Sequence, residues 1–201
     1  MIDLGREFLR MAEEFEISDK EVLSSVRTMI RQAWGSSIFK LEFLKRNSEL
    51  VVNENPRSKK RYPMVRKYRC AICGELFGTS EVELDHVESE NTLTDYEHIN
   101  DFMKAIVLTS PDKLQVLCKD KKSKKKVVRF GCHSVKTFSE RYNVTFEEAE
   151  AEKFALQLIK EKKDKDYCLS HSLPVESTQA KRRKLIVEHK LKQLKEKQDE
   201  T

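Results

Sequence analysis

Four cysteines constrain this chain more than any other feature: Cys70-x2-Cys73, then Cys118, then Cys132. Two thiolates at that first spacing chelate one ion from a single turn, and a structural zinc is closed by four thiolate or imidazole ligands in a tetrahedron. A fold organised by such a site must return Cys118 and Cys132 to Cys70 and Cys73. Thirteen residues separate Cys118 from Cys132, and most of the middle ones are lysine, so this loop has to bulge outward for both ends to reach the ion. The fifth cysteine, Cys168, stands apart. The opening Met1-Ile-Asp-Leu-Gly-Arg-Glu has neither the basic start nor the apolar run of a signal peptide. No apolar stretch approaches the ~20 residues that span a bilayer. The expectation is a cytoplasmic protein with no membrane partner, where disulfides are rare and a Cys-x2-Cys pair binds metal.

Between the cysteines lie Asp85-His86 and, beside Cys132, His133. A carboxylate holds a hard divalent cation. An imidazole titrating near neutrality takes a proton from water. Asp85 and His133 are therefore the candidate ligands of a catalytic ion, and His86 the candidate base. Adjacent side chains of a strand point to opposite faces, so Asp85 and His86 share a site only if His86 sits where the strand bends into a loop. Such an ion would neutralise charge on a scissile phosphate and its leaving oxygen. Together the two interleaved metal-competent sets point to a nuclease.

The rest of the chain reads as α+β. Residues 1–46 form a helical region: an apolar stripe over residues 3–17, a Ser18/Glu21 capping box opening a second helix that Trp34-Gly35 ends, then a shorter helix. Residues 47–66 are polar and basic and read as a linker or a DNA-facing strap. Residues 67–142 hold the metal motifs, with a strand at Glu81–Val87, a helix capped by Thr94 and Glu97, a strand at Lys113–Leu117 and a helix from Cys132 to Tyr142. Thr145 and Glu148 cap a packing helix within 143–165, and 166–201 supply a linker (read over 164–179) and a charged helical tail.

The formal charge is only +5, because 39 basic residues offset 34 acidic ones, yet the lysines from Lys119 to Lys126 run together. A local patch of this kind meets a polyanion. Lys121, Lys122, Lys124, Lys125, Lys126 and, beyond Cys132, Lys136 are the candidate contacts to DNA phosphates, which would be gripped without regard to sequence. Lys181-Arg-Arg-Lys184 reads as a solvated helix face. His98, His171 and His189 read as structural or surface residues. The leucine-bearing tail allows dimerisation without showing it.

Four stretches then carry a family resemblance: Tyr68-Arg-Cys-Ala-Ile-Cys-Gly-Glu-Leu-Phe77, Val82-Glu-Leu-Asp-His-Val87, Asp112-Lys-Leu-Gln-Val-Leu-Cys118 and Gly131-Cys-His-Ser-Val-Lys-Thr137. They resemble the HNH endonucleases in the four-cysteine form common in bacteriophages, over about residues 66–150. The resemblance implies a small ββα-metal core with structural Zn2+ on the four cysteines, flanked by N-terminal and C-terminal helices. It implies His86 as general base, Mg2+ or Mn2+ on Asp85 and His133, and DNA as substrate in a host cytoplasm, with a homodimer or another phage protein as partner. Lys113 stands where the family usually has asparagine, a residue that braces the loop carrying the base; Asp112 and Asn91 are the candidates to replace it. The lysine insertion between Cys118 and Cys132 is the second departure. Lys113 also motivates the alternative reading, a zinc-stabilised DNA-binding or packaging accessory that has lost cleavage.

Overall fold

A computed structural model describes residues 3–88, 93–124 and 126–199. Asn91 and Lys125, both named above, lie outside them. The described residues form a mixed α+β fold of eight α-helices and three small antiparallel sheets. The chain divides after Cys118 into two units, residues 1–118 and 119–201, so the division falls inside the 67–142 stretch expected to be one domain. No helix among the described residues is long and apolar enough to cross a membrane.

The first unit opens with α1 (Leu4–Glu14), α2 (Asp19–Gly35) and α3 (Ile38–Arg46). Their starts are written locally. Asp3 accepts from the Gly5 and Arg6 amides, Ser18 from Glu21 and Ser37 from Phe39, each satisfying a donor that the first helical turn leaves open. Gly5 is required by packing, since a Cβ there would fall on the Tyr96 carbonyl oxygen. From α2, Leu23, Val26, Ile30 and Trp34 enter a core completed by Tyr68, Val82, Leu84, Leu93, Ile99, Phe102, Ile106, Leu114 and Val116.

Residues 47–66 are not a linker. β1 (Ser48–Val52) pairs antiparallel with β2 (Met64–Arg69), and β3 (Leu76–Gly78) extends the sheet. The basic stretch is the loop of this hairpin. Asn53, 6% exposed, organises it: its amide donates to the Ser58 hydroxyl at 3.1 Å and to the Tyr62 carbonyl at 2.7 Å. One buried asparagine thus supplies the partners that the loop backbone lacks. β4 (Val82–His86) pairs with β5 (Leu114–Cys118), and α4 (Ile99–Val107) lies between them in sequence. Thr94 does not cap α4. Its hydroxyl bonds Asp95, and the helix starts after His98.

In the second unit the described residues of the lysine insertion include a strand pair, β6 (Lys121–Ser123) with β7 (Lys126–Arg129). It leads into α5 (Cys132–Tyr142), α6 (Phe146–Lys160), α7 (Asp164–Ser170) and α8 (Gln179–Asp199). The Thr145/Glu148 capping box is formed. Ala149, Ala151 and Ala155 are fully buried along α6, and α8 packs against that helix. Small side chains let two helix backbones approach closely. The stretch 164–179 expected as a linker holds α7, whose Cys168 joins Ala155 and Ile186 in this unit's core. Burial pushes the Cys168 thiol above its ordinary range.

The solvated face expected at residues 181–184 is only half present. Lys181 and Lys184 are exposed, but Arg182 is buried against Asp164 at 2.8 Å, with side chains 7% and 7% exposed. The Arg182 guanidinium also donates to the Glu176 and Ser177 carbonyls. A buried cation needs this degree of satisfaction. Arg183 pairs with Glu152 at 2.7 Å. The composition misleads here because one arginine among four cations is directed inward by a carboxylate eighteen residues away.

Candidate metal centre and its hairpins

The Cys-x2-Cys turn sits between β2 and β3. Cys70 N–H donates to the Glu75 carbonyl and Gly74 N–H to the Cys70 carbonyl, both at 2.9 Å. Gly74 takes φ +72°, the left-handed region where a side chain is disfavoured, so the tight turn needs glycine here. Ala71 N–H reaches across to the Val116 carbonyl of β5 at 2.9 Å, tying the turn to the strand that ends in Cys118. The ligand atoms of Cys70, Cys73, Cys118 and Cys132 all lie within 4.8 Å of one another. Zn–S bonds of ~2.3 Å in a tetrahedron put sulfurs about 3.8 Å apart. The four thiols therefore fit a structural metal such as zinc. Cys70, Cys118 and Cys132 are buried and Cys73 is exposed.

Asp85 and His86 end β4, with Asp85 opposite Gln115 and His86 opposite Leu114. Val82 and Leu84 face the core, and two residues on from Leu84 the His86 ring lies 5.6 Å from Trp34. The pleat sends Asp85 the other way, so the ladder itself does not bring Asp85 and His86 to one face. His86 still pairs with Leu114, and the bend that a shared site calls for begins only at residue 87. Hydrogen bonds to β5 and the residue before it tie this strand end. Val87 N–H donates to the Lys113 carbonyl at 2.8 Å. The Gln115 amide donates both to the Asp85 carboxylate, at 3.3 Å, and to the His86 carbonyl, at 3.2 Å. Gln115 is a site residue that sequence reasoning does not reach. Its only signal is the strand register, which sets it opposite Asp85.

Lys113 and Asp112 line a cleft of about 800 Å³ with His86, Val87, Asp101 and Lys104. The Ser110 hydroxyl, bonded to Asp112, holds that carboxyl below its ordinary range. Asp112 is thus placed on Ser110, while Gln115 ties the end of β4.

His133 is the second residue of α5, and its carbonyl accepts from Thr137. The start of α5 is held from the foot of the lysine hairpin. The Asp120 carboxylate accepts from the Gly131 amide at 2.8 Å and from the Ser134 hydroxyl. A carboxylate at a helix N-terminus is favoured by the exposed amides and the helix dipole. Asp120 joins the two ends of the insertion, which is how the long Cys118–Cys132 separation is accommodated. No sequence signal distinguishes it from other acidic residues.

Of the candidate DNA contacts, Lys121, Lys122, Lys124 and Lys126 are all exposed on the hairpin, with Lys124 at its turn at φ +46°. Lys136 differs. Its side chain is 14% exposed and pairs with Glu140 at 2.5 Å along α5.

The remaining histidines make local contacts. His98 pairs with Asp95 at 2.5 Å, which holds the Asp95 carboxyl below its ordinary range. His189 meets the Tyr167 hydroxyl at 3.0 Å, and desolvation, with His171 nearby, lowers its pKa. No family model, curated protein or solved structure matches the chain.

Proposed function

We propose that the chain is a metal-dependent DNA endonuclease of HNH type, with the ββα-metal chemistry of that family and stabilised by zinc on the four cysteines. The observation that carries the reading is the pairing of β4 with β5: it sets Asp85-His86 at the end of one strand, while the partner strand runs directly into a cysteine of the thiol cluster. In this reading His86 accepts the proton of an attacking water, and the resulting hydroxide oxygen bonds to phosphorus as the bond to the leaving oxygen breaks. The Trp34 ring and the Gln115 amide limit how far the His86 segment can turn. Asp85 and His133 are the residues assigned to Mg2+ or Mn2+, which when bound would offset charge on the phosphate. The exposed hairpin lysines would hold the DNA backbone.

Purified protein should nick plasmid DNA when magnesium or manganese is added. His86→Ala should remove that activity by a factor on the order of a hundred or more, while zinc remains bound in the same ratio. Equal nicking by the variant would overturn His86 as the base. Lys113 favours a second reading, a DNA-binding accessory without cleavage, because an ammonium lines the cleft beside His86 in place of a neutral amide. Metal-dependent turnover by the wild-type chain would exclude it.

A further inference from the structure

The second unit contains a cleft that the cleavage chemistry does not use. It has a volume of about 630 Å³ and lies among β7, α5 and α6. Phe130, Phe138 and Leu156 give it an apolar, partly aromatic lining, and Lys126, Lys153 and Lys160 line it as well. Lys153 Nζ stands 4.9 Å from the Phe130 ring centroid. Two carboxylates also reach the cleft, but each is engaged elsewhere. Asp120 holds the start of α5, and Glu161 lies 2.9 Å from Lys163 and accepts from Gln157 at 3.1 Å. Of the three cleft lysines, Lys126 is the one that approaches Glu161, at 4.0 Å. Lys153 is seated over the Phe130 ring and Lys160 is exposed, and these two set the charge that an entering group meets.

Phe130 has Lys153 against it and Phe138 has Tyr142, with centroids 4.4 Å apart, so each ring has one face left for a flat partner. Such rings beside ammonium groups suit a planar base carrying a phosphate. Rings of this kind stack on unpaired bases whatever their identity, and lysines follow the attached backbone. A paired duplex keeps its bases inside the helix and offers these rings nothing. The cleft also continues the exposed lysines of the β6–β7 hairpin, because Lys126 and Val127 of β7 line it. We propose that this cleft binds an unpaired nucleotide of a DNA strand, making the second unit a single-strand-preferring contact. The proposal rests on DNA being the ligand of the chain and adds which form of DNA the second unit selects.

The test is fluorescence anisotropy on the full-length chain at low salt, without added divalent ion, using a labelled short oligothymidine and a labelled blunt duplex. Phe138→Ala, and separately Lys153→Glu with Lys160→Glu, should each weaken oligothymidine binding about tenfold and leave duplex binding within about twofold. Lys160 is exposed, so Lys160→Glu alone, expected to weaken oligothymidine binding severalfold, keeps the test valid should Phe138→Ala or the Lys153 change disturb the packing of the unit. Unchanged oligothymidine affinity in the lysine variants would overturn the proposal, as would equal losses on both DNAs or no single-strand binding by the wild type. So would displacement of oligothymidine by an acidic aromatic peptide but not by thymidine monophosphate. Plasmid nicking is read separately. A chain that binds oligothymidine through this cleft yet never nicks retains this inference and loses the endonuclease reading. A chain that nicks while these variants bind normally does the reverse.

Discussion

β4–β5 and β6–β7 are both two-stranded antiparallel ribbons, and only Lys119 and Asp120 separate them in sequence. In β4–β5, Val82, Leu84, Leu114 and Val116 are buried and Leu117 is 0% exposed. In β6–β7, which follows almost at once, every residue of β6 is exposed. An isolated two-stranded ribbon is marginal in water. The first ribbon is held by apolar burial; the second has little to bury and is held at its foot by the Asp120 carboxylate on Gly131 and Ser134. The same backbone pattern therefore serves two purposes. The buried ribbon places residues rigidly, and the exposed one presents cations.

If that contrast is right, substitutions in the two ribbons must differ in kind as well as size. Leu117→Ala should cost about 3 kcal/mol, because its cavity cannot collapse within the packed core; urea melts followed by far-UV circular dichroism would register it. A cost near zero would mean that β4–β5 is not held by burial. Asp120→Ala should cost about 1 kcal/mol, through removal of a charged cap. It should also speed zinc release to a competing chelator, since Cys132 opens the helix that Asp120 holds. Unaltered release from a protein that does bind zinc would remove Asp120 from the support of the thiol cluster. Changing Lys121, Lys122 and Lys124 together to Gln should move stability by less than about 0.5 kcal/mol. Their effect should appear instead in the salt dependence of DNA binding, where the slope falls by about 0.9 for each phosphate that the variant no longer neutralises.

How far the fold can be read from the residues divides along similar lines. The N-cap at Ser18, the capping box at Thr145, the helix from Cys132 and the strands around Leu84 and Val116 are legible, because caps and periodicity act over a few residues. At Ser18 the Glu21 carboxylate takes the hydroxyl, so the expected box is only half formed. The strand pair β1–β2 is not. Its first member is short and its loop is basic, and only Asn53 and the partner strand make it a hairpin. Helix α7 is hidden for a related reason: its charged residues look like a linker until Cys168 is buried and Asp164 meets Arg182.

By itself the amino-acid order determined the chemistry on offer: four thiols with a chelating turn, an Asp-His pair between them, and a run of lysines. It also determined most helix starts. Tertiary structure alone decided which polar side chains hold those groups in place. Gln115 became a brace by lying across the ladder from Asp85, Asp120 by closing a loop eleven residues long, and Arg182 by turning inward to Asp164. The physical reason is range. Caps and chelating turns are satisfied within one turn of chain, whereas a buried amide or guanidinium is stable only beside the distant acceptor that folding brings to it.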